Sequence, residues 1–295
     1  MEFCRRIKRY LEWLGHLFFY GVLRIGGHRL AYLLLYPVIF CYVAFGRRIH
    51  YQTRAYFEKR FPGHGWWRRR LDVFFNVLNF GRVLVDRAWI GLSTQGRIAG
   101  SFAESDRLDA LVAEGRGVII LLAHVGNWQS SFADLGRLPV AIHALMEYDD
   151  KAVAKHFFDL GKKRPFSIID VHGFMGGMVE AAVALQRGEI VLTMGDRLQG
   201  GPAATVSFLG APLRLPLAPY SLAATTGAPV AVLFAAKTGR LSYELQIAEV
   251  IRCSAKERPS RQQLAAHASR FAQALERYVE RYPYQWYNFF NIWQQ

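Results

Sequence analysis

GVIILLAHVGNWQ, residues 117–129, holds six consecutive apolar residues that give way at His124 to a polar turn. A run rich in β-branched residues and leucine with no polar alternation suits a strand covered on both faces, as strands of parallel sheets are. Four similar runs follow: PVAIHALM (139–146), FSIID (166–170), EIVLTMG (189–195) and PVAVLFAA (229–236), with YELQIAEV (243–250) as an antiparallel partner. Helix-period segments over about 126–137, 149–162, 174–187 and 216–227 separate the first five. This alternation predicts an α/β fold, a mostly parallel central sheet flanked by helices. Ligands of such sheets gather where strands end at their carboxyl edge. Three strand ends here are polar: His124 to Gln129, Asp170 to Gly173, and Gly195-Asp196-Arg197.

Upstream the pattern differs, and the chain divides into N-terminal membrane-associated helices over 1–100 and an α/β domain over 101–295. LAYLLLYPVIFCYVAFG (30–46) carries no charge. As a helix it reaches only ~26 Å, against ~30 Å of bilayer hydrocarbon. Arg24, His28 and Arg29 precede it and Arg47, Arg48 and Arg54 follow, whereas a single span calls for a one-sided excess. The symmetry favours a segment dipping into one leaflet, kinked at Pro37; a buried helix pair of a soluble domain is the alternative. Residues 47–95 read as amphipathic helix with aromatics set among arginines, a pattern suited to a headgroup-level surface or to a solvated basic face.

The 295 residues are 52% hydrophobic, 14% aromatic and 20% charged, which excludes a disordered chain. Thirty-seven basic residues against 23 acidic ones give +14, which calls for a polyanionic partner. Such an aromatic, apolar chain points to an anionic membrane surface and not to nucleic acid. Cys4, Cys41 and Cys253 have no redox or metal spacing, and a reducing compartment fits them. No small-residue cleavage pattern ends the first apolar stretch, so a retained N-terminus is expected. Asp170 and His172 lack a third ligand, and Gly173, Gly176 and Gly177 lack a Walker lysine or a complete dinucleotide pattern. Neither metal nor cofactor is expected.

GRVLVDRAWI, AHVGNWQ, MGDR, FLGAPLRLPLAPYSLAATTGAPVAVLF and the closing YPYQWYNFFNIW, in this order, resemble the lipid A lauroyl/myristoyl acyltransferases, a branch of the lysophospholipid acyltransferase superfamily. The resemblance covers nearly the whole chain. It implies an α/β protein on the cytoplasmic face of the bacterial inner membrane. Such a protein moves a fatty acyl chain from acyl carrier protein to a hydroxyl of a membrane lipid, a lipid A precursor or another glycolipid. The family motif is a His followed, after four residues, by Asp or Glu. His124 fits it, but Gln129 stands where the acid belongs.

Attack of an alcohol on a thioester needs a base, and neutral imidazole serves near neutral pH. A carboxylate behind the ring holds its tautomer and stabilises the imidazolium; Gln129 can hold the tautomer but supplies no charge. Three readings stay open. Asp134 or Asp196 completes the dyad, the enzyme is slower, or the chain is a non-catalytic relative that binds or hands over acylated lipid. Asn127 suits the cap of the next helix and the substrate side of the turn. Arg197 suits a phosphate of donor or acceptor, or a surface salt bridge. In the resemblance Gly210 permits close backbone approach and Arg214 meets a phosphate or the carboxyl-derived oxygen, with purely structural roles as the alternative. Trp286 and Asn288, in an aromatic ending that packs on the sheet or lines an acyl groove, are the residues of that ending expected near the site. No nucleophile-elbow serine is present, so direct transfer is preferred to an acyl-serine route.

Overall fold

The computed structural model describes residues 2–92, 99–128, 135, 137–147, 166–198, 200–253 and 259–294, except for the side chains of 2–13, 16 and 99. The first five apolar runs become β2 (Val118–Leu122), β3 (Ile142–Met146), β4 (Ser167–Asp170), β5 (Ile190–Met194) and β8 (Val230–Gly239). All five are parallel, in the order β8-β2-β5-β3-β4. β9 (Ser242–Ile251) joins β8 in the antiparallel sense, and β1 (Ala99–Ser101) adds a short edge parallel to β9. β1 lacks a sequence signal because three residues are too few to show a period.

Every residue of β2 is buried. Ile119 and Leu121 enter the hydrophobic cluster on one face of the sheet, while Val118, Ile120 and Leu122 enter the other. A parallel strand covered on both sides has no polar face to show, which is why the run reads as uninterrupted. α4 (Ser105–Ala113), α5 (Met178–Gln186), α6 (Ala218–Thr226) and α7 (Arg261–Arg281) supply helices of the α/β body. α5 and α6 form within the segments expected for them, whereas the helix expected over 149–162 and most of the one over 126–137 lie outside the described residues.

The stretch between β5 and α6 differs from expectation. Gly200 to Pro202 leads into an antiparallel ribbon, β6 (Ala203–Phe208) and β7 (Ala211–Pro216), that packs on α7. Its two-residue turn uses Leu209 at φ 50° and Gly210 at φ 70°. Two positive φ values suit the right-handed twist of a hairpin, but Leu-Gly lacks the Asn-Gly signature by which such turns are recognised.

The N-terminal third forms α1 (Glu2–Phe45), α2 (Arg47–Arg60) and α3 (Trp66–Leu92). Within α1 the non-helical residue is Gly27, at φ 66°, and the helix continues through Pro37. The kink therefore falls ten residues earlier than expected. Glycine alone enters that left-handed region without a Cβ penalty, whereas a proline costs the helix one hydrogen bond. Ala31, Leu35, Ile39 and Val43, at helical spacing, are buried, and α1 packs along α3. Ile25, Leu33, Phe40 and Phe45 face outward, so Leu17–Phe45 keeps a second apolar face, and it is long and apolar enough to be a candidate membrane-associated segment.

Candidate active site

β2 and β5 run side by side in the same direction, with Leu122 opposite Met194. His124 and Asp196 each stand two residues beyond that pair, so strand register delivers both to the same edge. The chain leaves β2 for β3 on one side of the pair and leaves β5 for β8 on the other, which makes this edge the sheet's switch point.

His124 Nδ1 lies 2.8 Å from Asp196 Oδ1. The other carboxylate oxygen accepts the His124 backbone N–H at 3.0 Å and the Trp286 indole N–H at 3.0 Å. Asp196 is 1% exposed. Burial pushes its carboxyl up, but the His124 ring, the Arg197 charge and the Trp286 hydrogen bond outweigh that and hold it well below the usual carboxylate range. An ionised carboxylate only accepts, so Nδ1 carries a ring proton, and the neutral tautomer this favours has its lone pair on Nε2. The His124 side chain remains 27% exposed and enters the wall of a cleft.

The C-terminal segment supports the turn from behind. Val125 and Trp286 form an antiparallel bridge, Tyr287 N–H donates to the His124 carbonyl at 2.8 Å, and Gly126 N–H donates to the Gln285 carbonyl at 2.8 Å. The Gln285 amide clasps Lys237 at the end of β8, accepting its N–H at 2.7 Å and donating to its carbonyl at 2.8 Å. Asn76 on α3 donates to the Trp286 carbonyl at 3.0 Å. Gly126, at φ 48°, lies so close to β8 that a Cβ there would stand 1.6 Å from the Ala235 carbonyl oxygen. Only glycine fits.

The cleft has a volume of about 520 Å³ and opens at the carboxyl ends of β2, β5 and β3. Its lining is mostly apolar, including Leu122, Trp128, Leu145 and Leu222, with His124, Arg197, Thr193 and Glu147 as polar points. Such a lining, with few convergent polar groups, is what binding pockets for apolar ligands show.

Other expected residues fall in different places. Asn127 is buried in the turn after His124. Arg197 reaches the cleft wall, yet its guanidinium donates to the Tyr287 carbonyl at 2.9 Å and lies 5.0 Å from the Phe290 ring centre, so it braces the C-terminal segment. Burial lowers its pKa and Asp196 partly restores it. Gly210 sits at the exposed tip of the β6–β7 turn, and a Cβ there would meet open space; its left-handed φ, not close approach to a ligand, explains it. Arg214 is exposed on β7 across from Thr205, apart from the cleft lining. Trp286 stands behind Asp196, packed against Tyr56 and Phe208, instead of lining the cleft. Asn288 is buried beside the carbonyl that Arg197 holds. Gln129 and Asp134 lie outside the described residues.

Sequence reading missed Gln285 and Asn76, whose partners are far away in the chain. A signal for the Asp196 pairing was present: VIILLAH and IVLTMGD place His and Asp at the same offset from neighbouring strands.

A family model described as bacterial lipid A biosynthesis acyltransferase matches residues 4–295. The chain is also similar to proteins named phosphatidylinositol mannoside acyltransferase from Mycobacterium tuberculosis strains H37Rv and CDC 1551, each 26% identical over 184 residues. That stretch is 62% of this chain and 56% of each relative, so the match spans little more than half the length of those relatives.

Proposed function

Because the chain belongs to the bacterial lipid A biosynthesis acyltransferase family, we propose that it transfers a fatty acyl chain from acyl carrier protein to a hydroxyl of a membrane lipid. The acceptor is a lipid A precursor or a related glycolipid. One observation carries the reading: the 2.8 Å pairing of His124 Nδ1 with Asp196 at the wall of an apolar cleft. Asp196 does from β5 what the missing acid at position 129 would have done from the turn.

The acceptor hydroxyl gives its proton to His124 Nε2 as its oxygen attacks the thioester carbonyl. Ionised Asp196 stabilises the imidazolium that forms. Collapse of the tetrahedral intermediate breaks the carbon–sulfur bond, and the departing thiolate takes the proton back from the imidazolium. His124 is the general base and Asp196 its orienting acid. Gln129 and Asp134 have no step here, and Asn127, Arg197 and Trp286 shape the edge on which the dyad stands.

The outward apolar face of α1 supports attachment to the cytoplasmic face of the inner membrane, and the +14 charge supports encounter with an anionic surface and an acidic carrier protein. Lipid mass spectrometry of a deletion strain tests the proposal. Complementation by wild type restores the missing acyl group and His124→Ala does not; full restoration by His124→Ala removes His124 as base. Absence of transfer by wild type with every donor favours a lipid-handing relative. Extraction should need detergent, and release by salt alone contradicts apolar anchoring.

A further inference from the structure

The chain contains five methionines, and the four beyond Met1 all line the one cleft described above. Met146 ends β3, Met194 ends β5, Met178 begins α5, and Met175 lies in the turn before it. Four thioethers from separate positions in the chain therefore meet in one cavity. Pro202, Pro216 and Pro219 supply another part of the lining, where the backbone ring leaves the side chain no freedom.

Methionine is unbranched, turns about three side-chain bonds and carries a polarisable sulfur, so it repacks around ligands of different shape. Isoleucine, branched at Cβ, would give a similar apolar surface with a fixed outline. The backbone also commits to this arrangement. Met175 stands at φ 51°, followed by Gly176 at 69° and Gly177 at 72°. A Cβ on Gly177 would lie 2.7 Å from the Ile169 side chain, so the turn packs too closely for another residue there. A non-glycine residue in the left-handed region is a costly placement. Here it sets a large apolar side chain, 67% exposed, at the cleft margin.

We propose that the four methionines determine acyl-chain specificity by making the site tolerant of shape: a chain bent by a cis double bond or a methyl branch is accepted nearly as readily as a straight one. The proposal rests on the acyltransferase reading and adds the substrate's shape class to it.

Purified full-length protein in detergent is given equal-length straight, cis-unsaturated and methyl-branched acyl thioesters of acyl carrier protein, and kcat/KM is measured for each. Wild type should show values within about threefold of one another, and Met146→Ile with Met194→Ile should widen the straight-to-bent ratio by about tenfold, the scale on which pocket shape discriminates. Met146→Leu with Met194→Leu, closer in volume and freedom, should fall between. Displacement of a fluorescent fatty acid from His124→Ala by the same chains reads binding without chemistry and should give the same order. Wild type favouring one shape by more than about tenfold, or the isoleucine variant keeping the wild-type ratio while folded by circular dichroism, overturns the proposal. If the isoleucine variant does not fold, a leucine variant with the wild-type ratio overturns it equally. Transfer from no donor at all defeats the acyltransferase reading instead, and the displacement measurement still decides whether the cleft tolerates shape.

Discussion

Of three buried aspartates that pair with a histidine among the described residues, Asp72 with His64 being the third, Asp196 and Asp86 lie 2.8 Å from His124 and 2.6 Å from His28. In both, burial pushes the carboxyl up and the surrounding donors bring it below its ordinary value. Their surroundings separate them. Asp86 also accepts Tyr32, Lys237 and Tyr243, which ties α1 and α3 to the ends of β8 and β9, and the His28 side chain is 4% exposed. His124 instead keeps one side of its ring in the cleft wall. A His–Asp pair sealed on every side is a fastening; the pair whose imidazole opens to the cleft is the one proposed as a base.

Exchanging the acid for its amide gives the largest contrast. Asp196→Asn should lower acyl transfer by about 10⁴, the scale of the corresponding change in a serine-protease triad, while the fold persists. A variant retaining a tenth of the wild-type rate would erase the distinction between the two sites. Asp86→Ala should act the other way: Lys237, with its side chain 6% exposed, loses its buried partner, and stability should fall by about 3–5 kcal/mol in chemical denaturation. The rate per folded molecule should change far less.

Trp286→Phe sharpens the comparison further by removing one donor from Asp196, at a cost of about 1.5–3 kcal/mol for a hydrogen bond to a charged group. The folded carboxyl value then rises towards the unfolded one. Stability from a depressed carboxyl is complete above the unfolded value of about 3.9 and is lost as pH falls through the folded value, so acid unfolding should begin at a higher pH in the variant. An unchanged acid transition by circular dichroism would count against the indole as a support.

Arg252→Ala is the weak end of the scale. Its hydrogen bond to Glu114, opposed by burial and aided by Arg116, brings that carboxyl down to about 2. The pair lies at the surface, where such bridges contribute at most about 1 kcal/mol. A larger loss in denaturation would mean that exposure does not rank these networks.

The parallel strands could be read from the chain because burial on both faces removes polar residues from consecutive positions, as in Val118–Leu122. Candidate polar edges followed from strand ends, and Asp196 was one of two acids considered. The β6–β7 ribbon escaped because Leu209-Gly210 lacks a recognised turn pair, and the kink of α1 was assigned to Pro37 because a positive φ at Gly27 leaves no mark in composition. Gly210 and Arg214 were given ligand roles from block position, which carries no direction for a side chain, whereas Trp286, expected near the site, does hydrogen-bond Asp196.

Local pattern and charge were therefore enough to establish the class of sheet, the basic apolar character and the histidine at a strand end. Folding decided between the two candidate acids for that histidine, sealed the His28–Asp86 pair while opening His124–Asp196 to a cleft, and gathered four methionines around that cavity. The reason is distance along the chain: Asp196 is 72 residues from His124 and Trp286 is 90 from Asp196. Hydrophobic periodicity acts within an element, whereas contacts across such separations arise only when strand register and packing bring the elements together.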